Sequence, residues 1–174
     1  RFRGLITIFV IGVFTVIPIL YLENLWTVYP DLNLIAKISN FVTQPYLVTL
    51  MTLFSFGAIE ELAKARGVMF ANASLFSIKV VSTAIKFSLI VGLGFSFTEN
   101  IFHFYTTLTS EANVFVIFIT IFLRATISTL GHMTFSGIFG YFYGLAKFSK
   151  QFLEEEEWIG KHYHLACFMH KICG

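Results

Sequence analysis

The stretch LITIFVIGVFTVIPILYL, Leu5 to Leu22, carries no charged residue at any position. A hydrocarbon core of roughly 30 Å needs about twenty such residues in a helix, because backbone groups in lipid must bond within their own segment. This reading decides the fold, and the chain repeats it. Pro45 opens a second span near Tyr46–Met69, and a third lies near Phe87–Thr107. Ala112–Leu145 is apolar for about 51 Å at 1.5 Å per residue, too long for one upright helix. Arg124 and the Ser128–Gly131 region are expected to mark a bend, with the true span near Phe122–Leu145. A last span opens near Trp158. Glu23–Asn40 and Ala71–Lys79 read as connectors, and Glu154–Glu157 as solvated surface. Pro18 predicts a kink, with Tyr21 and Trp26 as interfacial anchors.

The expected architecture is all-α: a multi-pass transmembrane helical bundle of about five spans, with a polar site at mid-membrane. It forms a single membrane-embedded domain over residues 1–174. The start at Arg1 rather than Met, and the end at Gly174 within an apolar run, predict a fragment of a longer protein. No small-x-small site follows the first apolar run, so a retained span is expected rather than a signal peptide.

Composition agrees with the membrane class. Only 13% of residues are charged and 56% are hydrophobic, against about 25% charged in soluble proteins. The mean hydropathy is +0.77. A net charge of +2 with dispersed Lys and Arg excludes a nucleic-acid partner. Cys167 and Cys173 lack metal-site or CxxC spacing and read as small buried apolar residues. Arg1 and Arg3, then Lys64, Arg66 and Lys79, then Lys147, Lys150 and Lys161, fall on one side of alternating spans. The N-terminus is therefore predicted cytoplasmic.

Against this apolar background stand Glu60, Glu61, Glu99, His132 and His170. A charge at membrane depth costs about 2.5–3.5 kcal/mol on insertion scales. Several at similar depth are expected to face one another around a polar pocket.

Glu60-Glu61-Leu62-Ala63-Lys64 reads EExxK, with Glu60 and Lys64 four apart on one helix face. Lys64 can hold one carboxylate ionised and leave the other to move protons or bind metal; taken alone, the motif suits a helix end at the surface equally well. Gly94-Phe95-Ser96-Phe97-Thr98-Glu99-Asn100 places a carboxylate beside an amide, one turn before His103. That spacing suits two ligands of one cation, or a ligand with its supporting partner. Arg124, Ser128, His132 and Ser136 form a ladder of fours, in which Arg124 alone reads as a snorkelling interface residue. Gly137, Gly140 and Gly144 give a seam for close helix contact. His170, about 18 Å of helix beyond Trp158, returns to mid-membrane depth.

This ordered set resembles the PrsW-type intramembrane proteases: EExxK, GFxxxEN, an Arg eight residues before HxxxxGxxGxxxG, and a late His. These are distant relatives of the CAAX-processing and bacteriocin-immunity membrane proteases. The resemblance covers roughly Tyr46 to the C-terminus. It implies a metal-dependent enzyme that cleaves membrane-anchored substrates, such as an anti-sigma factor, in a prokaryotic cytoplasmic membrane. It also implies functional roles for Glu60, Glu61, Glu99, His132 and His170. The chain departs from the pattern where Gly174 stands in place of a late Asp or Asn. Ser82–Lys86 lacks an acid, and His103 takes an aromatic position.

The expected mechanism is zinc-assisted peptide hydrolysis, with another divalent metal as the alternative. Glu99, His132 and His170 are the expected ligands, a nitrogen and oxygen set that suits zinc. Glu60 or Glu61 is the expected proton carrier, oriented by Lys64. Asn100, His103, Arg124 and Ser136 are expected to support them. Two rival readings stay open on sequence alone: a proton- or ion-coupled transporter, and a non-catalytic protein of the same fold.

Overall fold

The protein is described by a computed structural model over residues 2–33, 37, 44–110 and 113–149, and every regular element among these is helical. Helices α1 (Phe2–Phe14) and α2 (Ile17–Val28) are followed by a 3-10 turn at Pro30–Leu32. Helix α3 (Pro45–Phe70) continues into a π-helical turn, Ala71–Leu75. Helix α4 (Val81–Ser110) precedes α5 (Val114–Leu123), a second π turn (Arg124–Ser128) and α6 (Thr129–Lys147). Four helical stretches are long and apolar enough to cross a membrane: Arg3–Val28, Pro45–Leu75, Val81–Ser110 and Val114–Lys147. The expected last span, with His162, His164, Cys167, His170 and Cys173, lies outside the described residues, as does the Glu154–Glu157 run.

Four boundaries differ from the sequence reading: the second span runs to Leu75 rather than Met69, the third starts at Val81 rather than Phe87, and two others have a local cause. The first helical stretch continues through Val28 rather than stopping at Leu22, and it breaks between Phe14 and Ile17. The Pro18 ring clashes with the carbonyl four residues back, that of Phe14, and so sets the break. The long apolar run starts its helix at Val114, not Phe122, where Asn113 Oδ1 accepts from the N–H of Phe115 and Val116. The stretch runs on to Lys147, interrupted by a π turn at Arg124–Ser128, inside the region expected to bend. Helix α5 buries none of its residues. Val114, Phe115, Phe118 and Phe122 all point outward, as suits a helix facing lipid.

Lipid tails are as apolar as leucine, so helices in a bilayer associate through close packing of small residues. Helices α4 and α6 meet along such a seam. A Cβ on Gly92 would lie 2.6 Å from Ser136 Oγ, and one on Gly140 would lie 2.5 Å from Ser88 Oγ. Gly144 packs in the same way on Val81 and Ala84. On the other face of α4, Gly94 abuts the Phe9 carbonyl, and Gly12 of α1 abuts the Val91 backbone. The helix α4 is thus clamped between α1 and α6, with Ile8, Val68, Ala84, Val91 and Tyr143 in the apolar core.

The α3–α4 link is fixed to the end of α6 by one amide. Asn72 Nδ2 donates to the Tyr143 hydroxyl at 3.0 Å, and Asn72 Oδ1 accepts from Lys147 Nζ at 2.6 Å and from the Ile78 N–H at 3.1 Å. This sets the height of α3 against α6, and hence the depth at which their polar residues meet.

Candidate metal centre

Three spans contribute a polar residue well inside their length. Glu60 lies 15 residues from each end of Pro45–Leu75 (60 − 45 and 75 − 60), about 22 Å of helix either way. Glu99 is on α4 and His132 on α6. One ligand atom from each of Glu60, Glu99 and His132 lies within 4.8 Å of the others.

His132 is bracketed on both ring nitrogens. Its Nε2 lies 2.7 Å from Glu99 Oε2, while Nδ1 lies 2.8 Å from Lys64 Nζ and 3.9 Å from Glu60 Oε2. A lysine ammonium only donates, so it can meet Nδ1 only while that nitrogen is unprotonated. A neutral ring that binds a cation at Nε2 carries its proton on Nδ1, so metal uptake at Nε2 and the Lys64 contact are coupled through the ring tautomer. The ring also packs on Phe95, at 5.4 Å between centroids, and Lys64 Nζ sits 4.4 Å above the same Phe95 ring.

Glu99 is held from its other side. Its Oε1 accepts from Arg124 at 2.7 Å, and His103 Nε2 lies 3.4 Å away. The inner oxygen, Oε2, is buried without an aligned hydrogen bond despite its short approach to His132. A buried carboxylate oxygen with a free lone pair beside an imidazole nitrogen is what a nitrogen- and oxygen-liganded divalent cation uses. The donor set fits a metal.

Arg124 reaches Glu99 because of the π turn. Two turns of α-helix take about 7.2 residues, and one inserted residue raises that to about 8.2. Arg124 and His132 are eight apart (132 − 124), so the insertion brings both to the same side of the helix, facing Glu99. Asn100 braces the turn: its Nδ2 donates to Thr129 Oγ1 at 3.1 Å and to the Arg124 carbonyl at 3.4 Å. Ser96 Oγ donates to Thr129 Oγ1 at 2.9 Å. Thr129 and Ser96 were not singled out from sequence. Thr129 is five residues after Arg124, a spacing visible only if a π turn is assumed.

The structure settles which carboxylate Lys64 meets, a choice the sequence left open: it bonds Glu61, three residues back. Lys64 is 2% exposed in the bundle, so it does not belong among the interfacial basic residues. Arg124 is an ion-pair partner of Glu99 rather than a snorkelling side chain. Ser136 sits away from the cluster, buried against Gly92. His170 lies outside the described residues.

Lys64 is buried and Glu61 is 31% exposed, so removing the carboxylate leaves a buried ammonium short of its acid, whereas removing both partners is often neutral. Glu61→Gln is expected to destabilise the protein by about 1–3 kcal/mol. The double variant Glu61→Leu/Lys64→Met should recover most of that loss in thermal unfolding in detergent. A double variant no more stable than the single one would show that the Lys64–Glu61 pair is not what holds α3 in place.

Two clefts converge on the cluster. One, of about 460 Å³, opens between α3 and the Arg124–Lys147 portion of the last described span, and has Glu60, Glu61 and His132 on its floor. The other, of about 270 Å³, runs past Glu23, His103 and Thr106 to Glu60 and Glu99. Glu60 lines both.

Mid-depth acids and imidazole converging from three spans are what a membrane metalloenzyme requires. Comparison with protein families gives the same answer: a family model described as PrsW family intramembrane metalloprotease matches residues 1–172. The chain belongs to that family. No curated protein and no solved structure matches it. As a PrsW-family member the protein is an integral membrane peptide hydrolase, and the transporter reading is set aside. The match begins before Tyr46 and takes in the first helical stretch as well.

Proposed function

We propose that this PrsW-family protease hydrolyses a peptide bond in a membrane-anchored protein, using a zinc ion held by Glu99, His132 and His170 and a proton carried by Glu60. Support comes chiefly from the convergence of Glu60, Glu99 and His132 within 4.8 Å at mid-span. His170 enters from the family resemblance. When bound, such an ion supplies Lewis-acid polarisation of the scissile carbonyl and a water of pKa near 7. Arg124 and His103 orient the Glu99 carboxylate, and Lys64 fixes the His132 ring.

Glu60 is the stronger candidate for the base because Glu61 is occupied by Lys64. It takes a proton from the attacking water and later delivers it to the leaving amine as the C–N bond breaks. The cleft past Glu23, His103 and Thr106 gives water a route to Glu60. The substrate class implied by the resemblance is a regulatory protein of the anti-sigma-factor kind. We place the N-terminus in the cytoplasm of a prokaryotic cell: Arg3, Arg66, Lys79 and Lys147 lie toward one end of the bundle, and Glu23 and Asp31 toward the other.

Purified protein in nanodiscs is expected to hold zinc near one equivalent. It should cleave a single-pass reporter in a reaction that a chelator stops and added zinc restores. Cleavage indifferent to chelation would overturn the metal mechanism.

A further inference from the structure

Arg66 is a charged residue inside a span that the metal centre does not use. It lies six residues past Glu60 (66 − 60), about 9 Å from mid-span toward the end that carries Lys79 and Lys147. Half of a hydrocarbon core is about 15 Å, which puts the Arg66 backbone about 6 Å inside its edge. Its side chain is exposed and has no hydrogen bond or ion pair among the described residues. Leu62 and Phe70, one turn to either side, are exposed as well, so this stripe of α3 faces lipid. An isolated charge within a span costs up to about 2.5–3.5 kcal/mol on insertion scales and calls for a counter-ion.

Arg66 also lines a groove of about 650 Å³ that runs, among the described residues, between the first helical stretch and α3. Its α3 wall extends from Ile59 to Phe70, eleven residues (70 − 59) or about 16 Å. That is the distance from mid-span to the hydrocarbon edge, the depth of one leaflet. Pro18, at the break in the first helical stretch, and Leu22 stand on the opposite wall. Past Ile59 the two helices meet again, where Trp26 packs on Phe56 at 5.7 Å between ring centroids. No acid and no imidazole lines the groove among the described residues. It touches none of Glu60, Glu99 and His132, so His170, expected at their centre, is called to a different face of α3.

We infer that this groove holds one acyl chain of a resident anionic phospholipid, with the lipid phosphate on the Arg66 guanidinium. The arginine stem lies along apolar surface and lets the charged head reach up to the phosphate level. There the planar guanidinium takes two phosphate oxygens at once. Basic groups between spans recognise anionic headgroups in this way, whereas a zwitterionic lipid brings an ammonium of its own that competes for the phosphate. The chain below would lie on Ile59 and Ala63, which pack against the core cluster of Val16, Ile19 and Phe95. Phe95 is the ring beside His132, so an occupied groove braces α3 against the wall of the metal centre. The inference does not depend on the protease reading.

The test uses the full protein in phosphatidylcholine nanodiscs doped with a trace of photoreactive lipid. The probe is phosphatidylglycerol or phosphatidylcholine, each bearing the same diazirine acyl chain, and labelled positions are mapped by peptide mass spectrometry. Labelling of the Ile59–Phe70 wall is expected to be about fivefold stronger with phosphatidylglycerol, the effect of one basic group near an anionic surface. Phe118 and Phe122 on α5, which are exposed with no basic residue between them, should take both lipids alike. Arg66→Gln should abolish the preference and Arg66→Lys should keep most of it, with thermal unfolding unchanged in both. Equal labelling of the wall by the two lipids, or a preference that survives Arg66→Gln, would overturn the assignment. So would a wall that neither lipid labels while α5 is labelled, because the groove is then filled by protein. Labelling needs no turnover, so an inactive enzyme that keeps the preference counts against the protease reading and leaves the lipid site standing.

Discussion

His132→Ala is expected to remove bound metal and proteolysis together. The ring is the only imidazole among the described residues that contacts Glu60, Glu99 and Lys64 at once. Without it the centre loses its nitrogen donor, and Lys64 gains freedom to pair with Glu60 or Glu99, further disfavouring a cation. Metal catalysis supplies several kcal/mol of transition-state stabilisation, so cleavage should fall by about 10³-fold or more. Zinc content by elemental analysis should fall in parallel, with folding monitored by thermal unfolding. A variant that retains zinc and cuts within tenfold of wild type would remove His132 from the centre.

The second large effect separates two adjacent carboxylates. Glu60→Gln is expected to lower cleavage by about 10²–10⁴-fold, the range for a general acid–base group, while zinc content changes little. Glu61→Gln should act mainly on stability, because its carboxylate neutralises a Lys64 ammonium that water barely reaches. The comparison is made per folded molecule, with amide isosteres so that shape is kept. An active Glu60→Gln beside an inactive, well-folded Glu61→Gln would exchange the two roles. A Glu60→Gln protein that loses zinc would make Glu60 a ligand rather than the base.

Much of this was legible in the sequence, for physical reasons that differ by feature. Spans follow from the length of apolar runs, which lipid thickness fixes directly, and Pro18 announces its break through its ring. That Glu60, Glu99 and His132 share a depth follows from counting residues along those spans. Partner choice did not follow. Whether Lys64 turns to the residue three or four before it depends on what waits across the bundle, here the Phe95 ring and His132 Nδ1. Arg124 looked interfacial because a regular helix would turn it away from Glu99. The π turn that redirects it leaves no mark in composition, and Thr129 was overlooked for the same cause.

That π turn makes the spacing before the histidine negotiable by one residue. Deleting a codon among Ala125–Ser128 would let the segment wind as an ordinary α-helix, with Arg124 then seven residues before the histidine, close to the roughly 7.2 of two regular turns. The guanidinium would keep its side of the helix and its reach to Glu99, while the carbonyl that the π turn offers to Asn100 would be drawn back into regular helix bonding. Alignments of such chains are best read with a one-residue gap allowed between this arginine and the histidine.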